Sequence, residues 1–269
     1  MIFAPASISC IFSPQIREDP RESGSVGVGF TINLGAFAEK SDELIINGKK
    51  TSFPTVEHVL KKFGMKGVNI RTQLPFGCGF GMSAASAIST SLLSNRSFIE
   101  CADVAHEAEV LNLTGLGDVT NITFGGLIVR KTAACPSRVI LSRFKLDVTL
   151  DFLILGEIPT REFLKERARD VQKEGLIWTK EFLKNPRLEN LFYCSVNFAK
   201  NTGLIEEVED VVEAVVSSGG MASMVMLGKS VFAYKGFEAL KEFGEPFRAK
   251  IDCCGVRHVE SGCNSMQDR

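Results

Sequence analysis

The chain has 269 residues, 45% of them hydrophobic, with 31 Lys and Arg against 32 Asp and Glu. That is enough apolar side chain to bury a sizeable core, which excludes disorder as the main state. A net charge near zero, with no long basic run, argues against nucleic acid or an anionic membrane as the chief partner.

In chain order, Met1 to Pro14 is mildly apolar but has no basic residue ahead of it, so it does not read as a signal peptide. Val28 to Leu34 and Leu44 to Ile46 read as strands, and Val68, Ile70 and Thr72 alternate as a strand should. A glycine loop then leads into an alanine-rich helix over Ala84 to Leu93. Ser97 with Glu100 forms a capping box that starts a second helix, which Gly115 and Gly117 are expected to end. Thr120 to Phe124, the Gly125-Gly126 turn and a strand over Leu127 to Val129 follow. The apolar run near Lys145 to Gly156 marks the expected domain boundary. Beyond it come amphipathic helices over Arg161 to Leu183, Leu188 to Asn201 and Leu204 to Val216. Met224 to Leu227, Val231 to Tyr234 and Ala249 to Cys253 are the expected closing strands. These elements predict an α+β protein, with antiparallel sheets covered by helices on one face. The longest apolar stretches, such as Met221 to Leu227, fall far short of the about 20 residues that span a bilayer.

Eight cysteines lack any C-x-x-C pair and read as reduced thiols, consistent with the cytoplasm. Cys253, Cys254, His258 and Cys263 offer soft metal ligands, but their spacing matches no common zinc pattern, and Ile251 to Val256 looks like a terminal strand. His58 and His106 sit among helical charges and read as surface residues.

The most informative segment runs from Pro75 to Ser86. Gly77, Gly79 and Gly81 at alternate positions permit φ > 0, so successive backbone N–H groups can turn toward one anion. The helix that follows adds its positive end, with Ser83 at the junction. The spacing fits neither the dinucleotide fingerprint nor the P-loop, and a tight strand-to-helix turn is the alternative reading. Gly228-Lys229-Ser230 is a near miss to the P-loop and reads as a strand turn.

The motif P-x-G-x-G-x-G-x-S-A-A resembles the second signature of the GHMP kinases, the superfamily of galactokinase and of homoserine, mevalonate and phosphomevalonate kinases. Gly115-Leu116-Gly117-Asp118 with Gly125-Gly126 resembles the stretch carrying that superfamily's catalytic aspartate. Ser217 to Ser223 lies where its third signature belongs. Within the superfamily, the chain most resembles the archaeal-type pantoate kinases of coenzyme A synthesis. Gly24-Ser25 with Gly27 and Gly29, Gly79 to Ser83, Thr114 to Val119, and Ser223 to Gly228 followed by Val231-Phe232-Ala233 carry this likeness. Two departures stand out: Ala4 to Ser9 lacks Pro-Gly-His, and Val26 replaces an expected arginine.

The resemblance implies a two-domain GHMP kinase fold, with residues 1–148 like ribosomal protein S5 domain 2 and residues 149–269 ferredoxin-like. It implies ATP and Mg²⁺ as cofactors and transfer of the γ-phosphoryl group to the 4-hydroxyl of pantoate. The alternatives are mevalonate, homoserine or shikimate as acceptor, or a non-catalytic nucleotide-binding relative. By the same resemblance Pro75, Gly77, Gly79, Gly81, Met82, Ser83 and Ala84 bind the triphosphate. Ser83 and Glu109 hold the metal, Asp118 is the catalytic base, and Ser7, Ser25 and Gly27 border the acceptor. Glu107 and Glu109 point about 200° apart on a helix, so only one can face the site, and the mevalonate kinases' spacing between this acid and the aspartate, two residues longer, makes Glu109 the better match. The superfamily often pairs the aspartate with a lysine, but no lysine precedes Lys40, so nothing in the sequence explains how Asp118 is tuned. The partners expected are ATP and pantoate, without nucleic acid or membrane, and a homodimer is left open.

Overall fold

The computed structural model describes residues 1–157 and 160–260, the side chains of 160–166 excepted. Two sheets form the frame. Strands β1 (Ile2–Gln15) and β2 (Gly24–Ser41) make a long antiparallel pair with register shifts at Pro5/Ala6 and Ser9/Ile11. Strands β3 (Leu44–Ile46) and β4 (Lys49–Lys50) follow. Helix α1 (Pro54–Phe63) opens on a proline, which lacks only an N–H that would be unpaired there, and it stops at Gly64 with φ 63°. Strand β5 (Gly67–Thr72) runs antiparallel to β2 but parallel to β3, so the sheet is mixed and not purely antiparallel.

Helix α2 (Met82–Ser91) packs against β1 and β2 and is buried on nearly every side. Its hydroxyls survive burial by bonding back within the helix: Ser86 to Met82 O at 2.7 Å, Ser89 to Ala85 O at 2.6 Å and Thr90 to Ser86 O at 2.7 Å. Helix α3 (Phe98–Asn112) starts on the expected cap, where Ser97 Oγ accepts from the Glu100 N–H. It stops at Asn112, with Leu113 at φ 56°, earlier than the glycines suggested. Helix α4 (Asp118–Phe124) precedes β6 (Leu127–Arg130), which pairs with β2, and β7 (Leu141–Phe144), which pairs with β6.

The second sheet begins with β8 (Thr149–Gly156). Helix α5 (Thr160–Lys184) and helix α6 (Leu188–Asn201) follow. The single helix expected over Leu204 to Val216 is two pieces, a 3₁₀ turn over Leu204–Glu207 and α7 (Glu209–Ser217). Strands β9 (Met221–Met224) and β10 (Lys229–Tyr234), helix α8 (Phe237–Leu240) and β11 (Phe247–Lys250) complete a sheet of order β11-β8-β10-β9. The terminal strand expected over Ile251 to Val256 does not form. Ile251 makes one bridge to Ile32, and β12 (Arg257–His258) then pairs with β1.

One hydrophobic core runs through both sheets. Phe30 of β2 meets Phe232 of β10 edge-on at 5.5 Å, and Phe80 lies 6.1 Å from Phe152 of β8. His106 belongs to the interior, not the surface: it is 1% exposed and its Nε2 lies 2.9 Å from Ser23 O. Burial lowers its pKa, so the ring is neutral at neutral pH. Among the described residues no helix is long and apolar enough to cross a membrane.

Candidate active site

The glycine loop follows β5 and takes the conformation that its composition permits, with Gly77, Gly79 and Gly81 at φ 79°, 88° and 62°. It delivers the chain to the start of α2, where no side chain caps the helix and no acid sits in the first turn. The first-turn N–H groups therefore remain available to an anion. Met82 and Ala84 are buried, so only their backbone can serve a ligand. Pro75 is exposed where the loop opens, and the Glu157 side chain lies across Gly77.

The second sheet braces this loop. Gly228 lies so close to Cys78 that a Cβ there would collide with the Cys78 carbonyl group, and Ser230 Oγ donates to Cys78 O at 3.0 Å. Val225 packs on Gly79 from the same turn. The segment of the second half that meets the loop is therefore Val225 to Ser230. Ser217 to Ser223, where the third signature was expected, spans the last residue of α7, the turn after it and the first three residues of β9.

Glu109 and Glu107 part ways on α3 as the helix geometry requires. Glu107 is near the surface, within 3.8 Å of Arg21, 3.4 Å of His58 and 3.3 Å of Lys62. Glu109 is 1% exposed; its Oε1 accepts from Thr114 Oγ1 at 2.7 Å, and among the described residues no donor comes within hydrogen-bond distance of its Oε2, with Ser83 nearby. Burial pushes its pKa up to about 7, while the hydroxyls of Thr114 and then Ser83 pull it down. A buried carboxylate oxygen with no donor among the described residues, beside a serine at an uncapped helix start, suits a hard divalent cation such as Mg²⁺. Gly115 is glycine because a Cβ there would strike Glu109 Oε2.

Asp118 is the first residue of α4 and does not sit in a free turn. Its Oδ1 accepts from Ser7 Oγ at 2.7 Å and from Ser9 Oγ at 3.3 Å. Asn121, one turn along the helix, donates from Nδ2 to Ser7 Oγ at 3.0 Å, and its Oδ1 accepts from Arg130 Nη1. Arg130 Nε also donates to Ser25 O at 3.0 Å, and Nη2 to Ser25 Oγ at 3.3 Å. Burial raises the Asp118 pKa, opposed first by the Ser7 hydroxyl and then by Arg130. Arg130, buried at 1% exposure, falls to about 10 and keeps its charge at neutral pH. Gly117 is the residue against which this guanidinium rests, since a Cβ there would lie 2.7 Å from Arg130 Cζ and 2.6 Å from Ser25 Oγ.

Glycine loop and aspartate share a wall. A Cβ on Gly81 would come within 3.0 Å of Ser7 Cβ and 3.3 Å of Asp118 Cβ, and the Ser7 N–H bonds to Phe80 O at 3.0 Å. Ser83, Glu109, Asp118, Ser7 and Ser25 thus converge. Gly27 pairs with Arg130 across β2 and β6, packed against the backbone of Ile11 and Phe12.

The sequence reading missed Arg130, Asn121, Ser9 as a donor to Asp118, and the Val225 to Ser230 brace. The one sequence signal for Arg130 is a cation closing an otherwise apolar strand. At the chain's end, Cys253 bonds Leu146 O, His258 pairs with Ile2 in β12, and Cys263 lies outside the described residues.

A glycine loop at a helix start, one buried and one half-buried acid, and a mixed α/β fold define a kinase of the GHMP class, and residues 50–126 match the GHMP kinases N terminal domain family. The pantoate kinase of Methanocaldococcus jannaschii is 32% identical over 267 residues, covering 94% of this chain and 98% of that one. That of Thermococcus kodakarensis is 31% identical over 259 residues, 86% of each chain. The chain belongs to the pantoate kinase family. A solved phosphotransferase related to the CoA biosynthesis pathway superposes with a TM-score of 0.84 at 26% identity, covering 96% of this chain and 98% of that one. The mevalonate kinase of Methanococcus jannaschii shares the fold, with a TM-score of 0.65 at 14% identity over 93% and 98% of the two chains.

Proposed function

We propose that this chain transfers the γ-phosphoryl group of ATP to the 4-hydroxyl of pantoate, giving 4-phosphopantoate and ADP on the way to coenzyme A. The observation that carries the mechanism is the contact of Gly81 with Asp118 and Ser7, which sets phosphate donors and a proton acceptor side by side. The backbone N–H groups of Gly77 to Ala84 cradle the triphosphate. When bound, Mg²⁺ held by Ser83 and Glu109 would neutralise charge on the phosphates. The acceptor oxygen forms a bond to the γ-phosphorus as the bond to the β–γ bridging oxygen breaks. Asp118 takes the hydroxyl proton on Oδ2, which accepts no hydrogen bond among the described residues. Ser25, whose Oγ accepts from Arg130 Nη2 at 3.3 Å, keeps its hydroxyl proton to offer to the carboxylate of the acceptor.

The acceptor rests on the family. In this reading the reaction is cytoplasmic, a setting supported by the seven described cysteines being free thiols. The test is ADP release with pantoate, mevalonate, homoserine and shikimate in parallel. Pantoate is expected to give the largest kcat/KM. A larger value for mevalonate or homoserine would overturn the acceptor, and ATP binding without turnover on any acceptor would favour a non-catalytic relative.

A further inference from the structure

The charge that offsets burial of Asp118 does not reach it by a direct ion pair. A guanidinium has only donors, so the Asn121 atom facing Arg130 must be Oδ1, and Nδ2 must face the other way. Nδ2 then donates to Ser7 Oγ at 3.0 Å, which leaves the single Ser7 proton to point at Asp118 Oδ1, 2.7 Å away. Every link is directional, and Arg130 fixes the direction. Reversal would set the Asn121 amide hydrogens against the guanidinium.

We propose that Asn121 is a positioning residue which hands the donor polarity of Arg130 to Ser7, occupies Oδ1 of Asp118 through it, and so reserves Oδ2 for the acceptor's proton. Asn121 is fully buried. It shares a helix face with Asp118 at i, i+3. Its amide also presses on β2 at Gly29, where a Cβ would collide with Nδ2, so the strand is shaped to admit this side chain. The arrangement takes the place of a lysine beside the aspartate: the cation sits two hydrogen-bonded side chains away. Ser9, at 3.3 Å, occupies the same Oδ1 and reinforces the choice of oxygen.

This inference rests on Asp118 being the proton acceptor, and the experiment separates the two. Asp118→Asn, Ser7→Ala, Asn121→Leu and the double variant Ser7→Ala/Asn121→Leu would be compared for kcat at saturating substrates, ATP affinity by calorimetry, and melting temperature. Asp118→Asn is expected to lower kcat by about 10²–10⁴. Asn121→Leu should lower kcat by about tenfold or more with ATP affinity unchanged, and the double variant should fall no further than Ser7→Ala alone. Additive losses, or a wild-type kcat in folded Asn121→Leu protein, would overturn the relay even if Asp118→Asn were inactive. Near-normal turnover by Asp118→Asn would instead overturn the proton-acceptor reading and the relay with it. Should Asn121→Leu fail to fold, Asn121→Asp keeps the contact with Arg130 but cannot donate to Ser7. The same drop in kcat is expected for it, and a wild-type value would overturn the proposal.

Discussion

At the scale of single residues, the unpartnered Oε2 of Glu109 has a thermodynamic signature. Its folded pKa of about 7 lies above the ordinary 4.5, so between those values the folded protein keeps a proton that the unfolded chain has released. Stability of the metal-free protein therefore falls as pH rises through that window, and the penalty is complete above it. Glu109→Gln should raise the stability of metal-free protein at pH 8 by about 1–3 kcal/mol, shrinking as the pH falls toward 5. For a chain of this size that is about 2–4 °C per kcal/mol. Activity should collapse in the same variant. Melting curves at several pH values in chelator check this, and destabilisation at pH 8 would show that the carboxylate is satisfied without a cation. The choice of Glu109 over Glu107 came from its distance to Asp118, judged against a family pattern, and the burial of Glu109 agrees with it. Arg130 was not legible, because an arginine after Leu127-Ile128-Val129 looks like the solvated end of a strand. Only the pairing of β6 with β2 brings it under Ser25 and Asn121.

At the scale of elements, the glycine loop takes its shape from a sheet that is remote in sequence. Gly228 abuts the Cys78 carbonyl, and neither backbone can yield cheaply, so Gly228→Ala should displace the loop without touching any proposed ligand. An ATP KM raised by about tenfold or more is expected, a loss of at least about 1.4 kcal/mol in binding. Ser230→Ala removes one bond to the same carbonyl and should cost about 0.5–1.5 kcal/mol of stability. Steady-state kinetics and melting of both variants test the brace, and an unchanged KM in Gly228→Ala would remove it. The elements themselves were unevenly legible. Leu188 to Asn201 is a helix residue for residue, bounded by Pro186 and Gly203 as punctuation predicts. Leu204 to Val216 kept its apolar stripe across a break at Val208, which no change of period announces. Ile251 to Val256 looks like a terminal strand, yet the Asp252 carboxylate bonds the N–H groups of Cys254 and Gly255 at 2.9 Å, and Gly255 turns at φ 74°. That side-chain turn competes with the ladder and wins.

At the scale of the whole molecule, two sheets need not mean two independent folding units. We propose the division near residue 148 as a boundary of architecture, with cohesion running across it. Helix α5 crosses β1 so closely that a Cβ on Gly175 would strike the Phe12 carbonyl, and Ser13 Oγ donates to Gln172 O at 2.8 Å. Phe232 and Phe152 insert into the core beneath the first sheet. The chain then returns through Ile251 to pair β12 with β1. Separating the halves would expose these faces together, and such shared burial makes the unfolding of each half depend on the other. We therefore expect one calorimetric transition whose van't Hoff and calorimetric enthalpies agree, shifted upward as a unit by ATP with Mg²⁺. Residues 1–148 expressed alone should fail to give a protected, cooperatively melting core. Two resolved transitions in the intact chain, with only one responding to nucleotide, would instead make each sheet an autonomous unit and reduce the Gly228 brace to a docking contact.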